Sequence, residues 1–451
     1  MKTSASFRLK FYKEHYKDII RLGIPIMLGQ LGIIVVGFTD NIMVGHHSMD
    51  ELAAASFVNN IFNLFFIFGI GFAYGLTPII SGLIAKNKKA EAGAFLKNSL
   101  LINSIVGLFM IAGNVIILQN LDLLGQPEEL IPLIKPYYAL QIISVVFVML
   151  FNSFKQFSDG TGDTVTPMYI MLGTNIFNIV SNYALIYGNW GMPEMGLTGA
   201  GISTLLTRVL MLVPFVFVFK YNRKYKDFRK GFKNSTFNKA CIGRLTRLGF
   251  PLGTQMGVET ASFSLSVLMM GWIGSVALAA HQIAGVVTML GFMIYYGIAA
   301  AVTIRVSTYH EKRDTINVRQ SSFAGLHLIS VVVVFVCILL YVSRDFIGYL
   351  FTGNEDVAQM TALLIYPVVL YQAGDGLQIL FANALRGIYD VKYLAYMAFV
   401  CHFGIALPIG YLCGFTLEWG ALGIWAGFPV SLTTLGFLLY RRFNKLIRDI
   451  H

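Results

Sequence analysis

"RLGIPIM" at residues 21–27 returns as "RLGFPLG" at 247–253, an offset of 226 residues with no gap between the copies. In the same register "ELAAA" (51–55) meets "ALAAH" (277–281), Met43 meets Met269, Gly45 meets Gly271, Gly71 meets Gly297, Ala73 meets Ala299, Thr77 meets Thr303 and Ser81 meets Ser307. Further on, "GLTGAG" (196–201) is echoed by "GALGIW" (420–425) at a slightly different offset. The chain therefore contains one unit twice.

Each copy opens a series of apolar runs long enough to span a bilayer, which takes roughly twenty residues per helix. The first six cover about 19–45, 52–85, 95–118, 131–157, 166–187 and 197–220, and the second six about 246–271, 277–305, 320–342, 357–386, 393–414 and 419–440. With 56% hydrophobic and 13% charged residues in 451, the composition is that of a chain whose solvent is mostly lipid. The fold class read from this is an all-α polytopic membrane protein. Its twelve transmembrane helices form two six-helix lobes, and because six is even, a pseudo-two-fold axis along the membrane normal relates them.

Charge placement gives the orientation. Of 34 Lys and Arg, 31 fall on alternate segments that include both termini, Lys135 and Arg344 fall on the others, and Arg208 falls in the sixth span. Positive charge is retained on the cytoplasmic side, so both termini are expected there. The polar, basic start runs directly into the first span and does not read as a cleavable signal. The organisation expected is an N-terminal segment 1–18, an N-lobe 19–220, a cytoplasmic linker 221–245, a C-lobe 246–440 and a tail 441–451. The net charge of +11 is membrane orientation and contact with anionic headgroups, and no nucleic-acid partner is expected. The four cysteines (Cys241, Cys337, Cys401, Cys413) are not spaced as a zinc site and suggest no disulfide.

An enzyme needs a reactive constellation, and none is legible. No G-x-x-x-x-G-K-[ST] phosphate loop is present, so ATP hydrolysis in this chain is not the energy source and no cofactor is expected. What the spans do contain is acid. Of 23 Asp and Glu, Asp40, Glu259 and Asp375 lie at bilayer depth, with Arg208 as the base available among the spans. An Asp at a helix centre costs about 2.5–3.5 kcal/mol, so each acid requires a partner, a proton or a bound cation.

Spacing adds detail. In "YQAGDGLQ", Tyr371, Asp375 and Gln378 share one helical face, and Gly374 and Gly376 leave backbone open beside the acid. Carboxylate, phenol and amide oxygens suit a hard cation such as Na⁺, while a structural interhelical cluster would use the same groups. Asn175, Asn178 and Asn182 form a polar stripe along the fifth span, with Thr204 on the sixth. Such stripes also serve to glue helices together; a site shared with Asp40 is the sharper reading. Pro25 and Pro251 occupy equivalent places near the starts of spans one and seven, where a bendable helix would couple to lobe movement.

"LGIPIMLGQLGIIVVGFTDNIMVG" in span one, "ALAAHQIAGVV" (277–287) in span eight, and "NYALIYG" followed by "GLTGAGISTLLTR" in spans five and six resemble the multidrug and toxic compound extrusion (MATE) family, in its bacterial NorM-like branch. The likeness runs from about 18 to 442. It implies two lobes set as an inverted V and antiport: an organic, usually cationic and amphipathic compound leaves the cell while Na⁺ or H⁺ enters. It also implies a bacterial inner membrane, drug-like cargo and a monomer. By position Asp40, Asn178, Asn182 and Thr204 match the family's first-lobe polar site. Glu259, Tyr371 and Asp375 match its second-lobe cation site, with Glu259 and Asp375 as Na⁺ ligands and Gln282 as a further cavity residue. Phe263 stands four residues past Glu259, where some relatives have another acid, which thins that site to two. The rival readings are a lipid-linked oligosaccharide flippase, which would present buried bases to pyrophosphate, and a major-facilitator carrier, whose loop motifs are not apparent.

Overall fold

The computed structural model describes residues 2–124 and 127–449, with side chains from Tyr12 onward. The first residue of the expected N-terminal segment, the side chains up to residue 11 and the last two residues of the tail lie outside the described residues. Every regular element described is helical: α1 (Lys2–His47), α2 (Met49–Ala73), α3 (Leu76–Ala85), α4 (Lys89–Gln119), α5 (Ile131–Gly160), α6 (Val165–Tyr187), α7 (Gly196–Tyr221) and α8 (Lys226–Asn234). There follow α9 (Lys239–Ile273), α10 (Ser275–Glu311), α11 (Thr315–Phe351), α12 (Glu355–Gly387), α13 (Val391–Cys401), α14 (Leu407–Tyr411) and α15 (Gly420–Asp449).

Eleven helical stretches among the described residues are long and apolar enough to cross a membrane, counting α2 with α3 and α13 with α14 as one each. The fifth expected span is present as the 23-residue α6. It is missing from the eleven because Asn175, Asn178, Asn182 and neighbouring hydroxyls dilute its hydropathy.

The chain forms two compact units, one of residues Leu28–Gly253 and one of residues up to Met27 together with those from Thr254 onward. Against the expected lobes 19–220 and 246–440, residues 19–27 and 246–253 each pack in the other unit, and the linker packs with the first. The two crossings, at 27/28 and 253/254, are separated by the same 226 residues as the repeated block.

The block's composition accounts for this packing. A Cβ on Gly23 would lie 2.9 Å from the Gly297 carbonyl oxygen, and one on Gly297 would lie 2.8 Å from that of Gly23. The start of α1 is thus pressed backbone to backbone on α10. In the other unit Gly249 and Gly253 put α9 against α2, with a Cβ 2.6 Å from the Phe72 carbonyl and 2.8 Å from that of Phe68. Pro25 and Pro251 follow two residues after Gly23 and Gly249, inside α1 and α9. Each removes one helical N–H just before the chain changes unit.

The repeat is also visible in side chains. Thr77 donates to Gln156 Oε1 at 2.6 Å, and Thr303 donates to Asn383 Oδ1 at 3.0 Å. Ser81 and Ser307 each donate to the carbonyl of the threonine four residues before, at 2.9 Å. The turns that follow α3 and α10 pass through left-handed Asn87 (φ 58°) and Arg313 (φ 57°). A 226-residue offset relates the threonines, the serines and the left-handed residues, and the acceptors Gln156 and Asn383 are 227 apart.

Two elements were not legible in advance. The linker contains α8, whose Phe228 and Gly231 are buried while Lys226, Lys230 and Lys233 are exposed. Gly93 and Gly231 let α4 and α8 meet without side chains between, and Lys97 holds the Ser235 carbonyl at 2.5 Å. The eleventh span widens into π-helical turns at His402–Ala406 and Leu412–Thr416, on either side of Pro408. A π turn relieves the clash that a mid-helix proline ring makes with the preceding turn.

Candidate functional site

In the unit Leu28–Gly253, α1 and α6 run alongside each other in a register set by small residues. Gly29 faces Met171, Gly32 faces Asn175, and about two turns further on Asp40 meets Asn182, whose amide donates to the carboxylate at 2.5 Å. Beyond that pair the Tyr187 hydroxyl donates to the Met43 carbonyl at 2.7 Å. The polar stripe of α6 then continues into α7. Asn182 donates to Asn178 Oδ1 at 3.3 Å, and Asn178 donates to Ser203 at 3.3 Å and to Thr207 at 3.2 Å. Asn178 and Asn182 are buried, whereas Asp40 is only partly so.

Arg208 follows Thr207 on α7. It donates to the Ser144 hydroxyl, and its guanidinium carbon sits 5.3 Å from the ring centroids of both Phe62 and Phe66. It interacts electrostatically with Asp40 and Tyr137 but is not within ion-pair distance of either. This partly buried base therefore does not close on the acid.

In the other unit, α9 and α12 present the remaining acids. Glu259 accepts from Gln255 and from Gln378, both at 3.0 Å. Asp375, one turn before Gln378, is 3% exposed, and its Oδ2 has no hydrogen-bond partner. Glu259 lies within electrostatic range of it. Both amide atoms of Gln372, the Gln255 Oε1 and the Tyr295 hydroxyl are likewise buried without partners. Asp375 Oδ2 and the Gln255 Oε1 are acceptors left without a donor on the helices that carry the two acids, which suits a hard cation or a proton. Among the described residues no three His, Cys, Asp or Glu gather, so a site here would rest on two carboxylates and neutral oxygens.

Tyr371 shares the Asp375 face but lies among rings, 6.2 Å from Phe263, 6.0 Å from Trp425 and 6.5 Å from Phe428. Phe263 stacks on Phe428 at 4.6 Å, so the position four residues past Glu259 is taken up by aromatic packing. The expectation that Gly374 and Gly376 leave backbone open is overturned. A Cβ on Gly374 would meet Thr433 Oγ1 at 2.8 Å and one on Gly376 would meet Val333 at 2.8 Å, because α15 and α11 grip α12 on both sides of the acid.

The structure brings Asp40, Asn178 and Asn182 into one network, and Glu259, Gln378 and Asp375 into another neighbourhood. Thr204 is half-buried beside the first network and makes none of its hydrogen bonds; Gln282 is exposed, next to the buried His281. Pro25 is buried and Pro251 half-buried at the unit crossings.

Sequence reasoning passed over Ser203, Thr207 and Gln255, since Ser, Thr and Gln are common in spans. It also placed Lys155, Asp159 and Arg386 on the inner surface. Lys155 and Asp159 form a 2.9 Å ion pair with side chains only 7% and 6% exposed, and Arg386, 6% exposed on α12, acts electrostatically on Glu259. Bases at depth are therefore more numerous than the span boundaries suggested. Even so, among the described residues Asp40, Glu259 and Asp375 form no ion pair with Lys, Arg or His.

The MatE family model matches residues 25–184 and 251–412, two segments that begin at Pro25 and Pro251. The multidrug resistance protein NorM of Photobacterium profundum is 28% identical over 445 residues, 96% of each chain. The probable multidrug resistance protein NorM of Photorhabdus laumondii is 29% identical, over 94% of each chain. Among solved structures, the eukaryotic MATE transporter AtDTX14 superposes with a TM-score of 0.88 at 16% identity, covering 97% of this chain and 98% of that one. An outward-facing multidrug resistance MATE family transporter superposes at 0.87 with 18% identity, over 97% and 96%.

Proposed function

Because the chain belongs to the MatE family of membrane transporters, we propose that it is a secondary active multidrug efflux antiporter, exporting organic, mainly cationic amphipathic compounds in exchange for Na⁺ or H⁺ by alternating access. The observation that carries this reading is Asp375: a carboxylate 3% exposed, with an unpartnered oxygen and a second acid within electrostatic range. A charge so placed is costly unless a positive species visits it.

In this reading Glu259, Tyr371 and Asp375 take the coupling cation in the C-lobe, with Gln282 at a cavity wall. Asp40, Asn178, Asn182 and Thr204 form the N-lobe polar site. The hydrogen-bond chain from Asp40 through Asn182 and Asn178 to α7 supports that grouping. Exchange is then linkage: a cation and a cationic cargo that compete for carboxylates exclude one another, and alternating access turns that competition into transport. Each charge moved through 100 mV is worth about 2.3 kcal/mol, roughly fifty-fold accumulation. Pro25 and Pro251, where helical hydrogen bonding is interrupted at the unit crossings, would provide the bending points. The protein would act as a monomer in a bacterial inner membrane with both termini cytoplasmic, as the Lys and Arg distribution favours.

Expression in cells lacking their own pumps tests the reading. Raised tolerance to ethidium and norfloxacin is expected, lost with Asp375→Asn. Unchanged susceptibility despite confirmed membrane insertion would contradict it.

A further inference from the structure

Arg208 is a charge within the spans, partly buried, that the exchange reaction leaves unused. Its guanidinium is fixed by Ser144 on α5 and by the rings of Phe62 and Phe66 on α2, and among the described residues Ser144 is its only hydrogen-bond acceptor. Arginine has five N–H donors in a planar fork. Asp40 meanwhile takes its hydrogen bond from Asn182. Both residues are only partly buried, so neither is sealed in the helix interface. The N-lobe polar cluster thus holds a carboxylate and a guanidinium apart, near enough to interact electrostatically and not paired.

A plain cation approaching Asp40 also feels the repulsion of Arg208. A molecule with a cationic amine at one end and a carboxylate at the other satisfies both charges, and its carboxylate can take two parallel N–H bonds from the fork. We propose that Arg208 is a substrate-binding residue that makes the N-lobe cluster selective for zwitterions, pairing with the cargo's carboxylate while Asp40 pairs with its amine. The inference rests on the reading that this cluster receives cargo. It adds a discriminating element by both attraction and repulsion.

The test compares norfloxacin, a zwitterion, with its methyl ester, which keeps the amine and lacks the carboxylate, by equilibrium binding to the purified full chain in nanodiscs. Wild-type protein should favour the acid by about tenfold or more, the order of a charge-assisted hydrogen bond. Arg208→Gln should bring the ratio to about one while ester binding holds or improves, and Arg208→Lys should restore part of the preference. Asp40→Asn should weaken both forms and leave the ratio standing. A wild-type ratio near one, a ratio that survives Arg208→Gln, or equal losses for both ligands in a folded Arg208→Gln protein would overturn the inference and leave the exporter reading intact. Wild-type protein that binds neither compound and confers no tolerance would overturn both.

Discussion

Replacing Asp375 by Asn removes one negative charge, keeps the shape of the side chain and separates stability from ion binding. In the folded chain this carboxylate is 3% exposed, one oxygen has no partner, and Glu259 adds a second negative charge nearby. Without a bound cation the wild type carries the cost of that arrangement. A neutral amide at the site should therefore raise the melting midpoint of the ion-free protein, by the equivalent of about 1 kcal/mol or more. With ion present the order changes. A hydrogen bond or ligand contact to a charged group is worth about 1.5–3 kcal/mol, so the variant should need roughly ten- to hundred-fold more coupling ion for half-maximal stabilisation. Thermal melting in detergent, titrated with Na⁺ at fixed pH and with H⁺ in Na⁺-free buffer, reads both effects and identifies the ion. Asp375→Asn melting no higher than wild type in ion-free buffer, together with an unshifted ion midpoint, would refute the reasoning.

Other consequences can be checked alongside. Gln378→Ala and Gln255→Ala each remove one neutral donor from Glu259, and each should cost about 1 kcal/mol of ion-dependent stabilisation, roughly fivefold in the midpoint. Gly23→Leu puts a Cβ 2.9 Å from the Gly297 carbonyl oxygen, and Gly249→Leu puts one 2.6 Å from that of Phe72. Each should destabilise by about 1–3 kcal/mol in detergent melts, where an equal substitution at Gly37, which faces open space, should not. In the turn between α5 and α6, burial alone would raise the Asp163 carboxyl, but the Tyr225 hydroxyl at 2.8 Å, Lys224 at 3.1 Å and Thr166 at 2.9 Å outweigh it and hold it below the usual range. A lowered carboxyl stabilises the fold above its unfolded value near 3.9, and the benefit fades as pH falls through the folded value. The stability gap between wild type and Asp163→Asn should therefore be flat from pH 7 to 5 and shrink below about 4; a gap that widens on acidification would refute it.

The parts legible in sequence were those where one residue type does one physical job. Arg-Leu-Gly-x-Pro stood out because only glycine lets α1 lie this close to α10, where a Cβ on Gly23 would come 2.9 Å from the Gly297 carbonyl oxygen, and proline marks where the chain leaves one unit for the other. Asp40 and Asn182 were legible because an acid in an apolar run needs a donor and the α6 stripe supplied one at 2.5 Å. Ser203 and Thr207 were not, since in spans such hydroxyls commonly bond their own helix, as Thr207 also does to the Ser203 carbonyl at 2.8 Å. Lys155 and Arg386 escaped because a base in the last residues of a span reads as reaching the surface, whereas in α5 and α12 both are buried. The crossed packing of α1 and α9 could not be read at all, because an unbroken helix carries no sign of which neighbours each half will choose.

Efflux from proteoliposomes under one imposed gradient at a time addresses the central claim most directly. With purified chain and an organic cation inside, either an inward Na⁺ gradient at fixed pH or an inward H⁺ gradient without Na⁺ should accelerate release, and Glu259→Gln or Asp375→Asn should abolish that acceleration. Release that is insensitive to both gradients, or driven equally well by both variants, would contradict the claim that these buried acids carry the coupling ion.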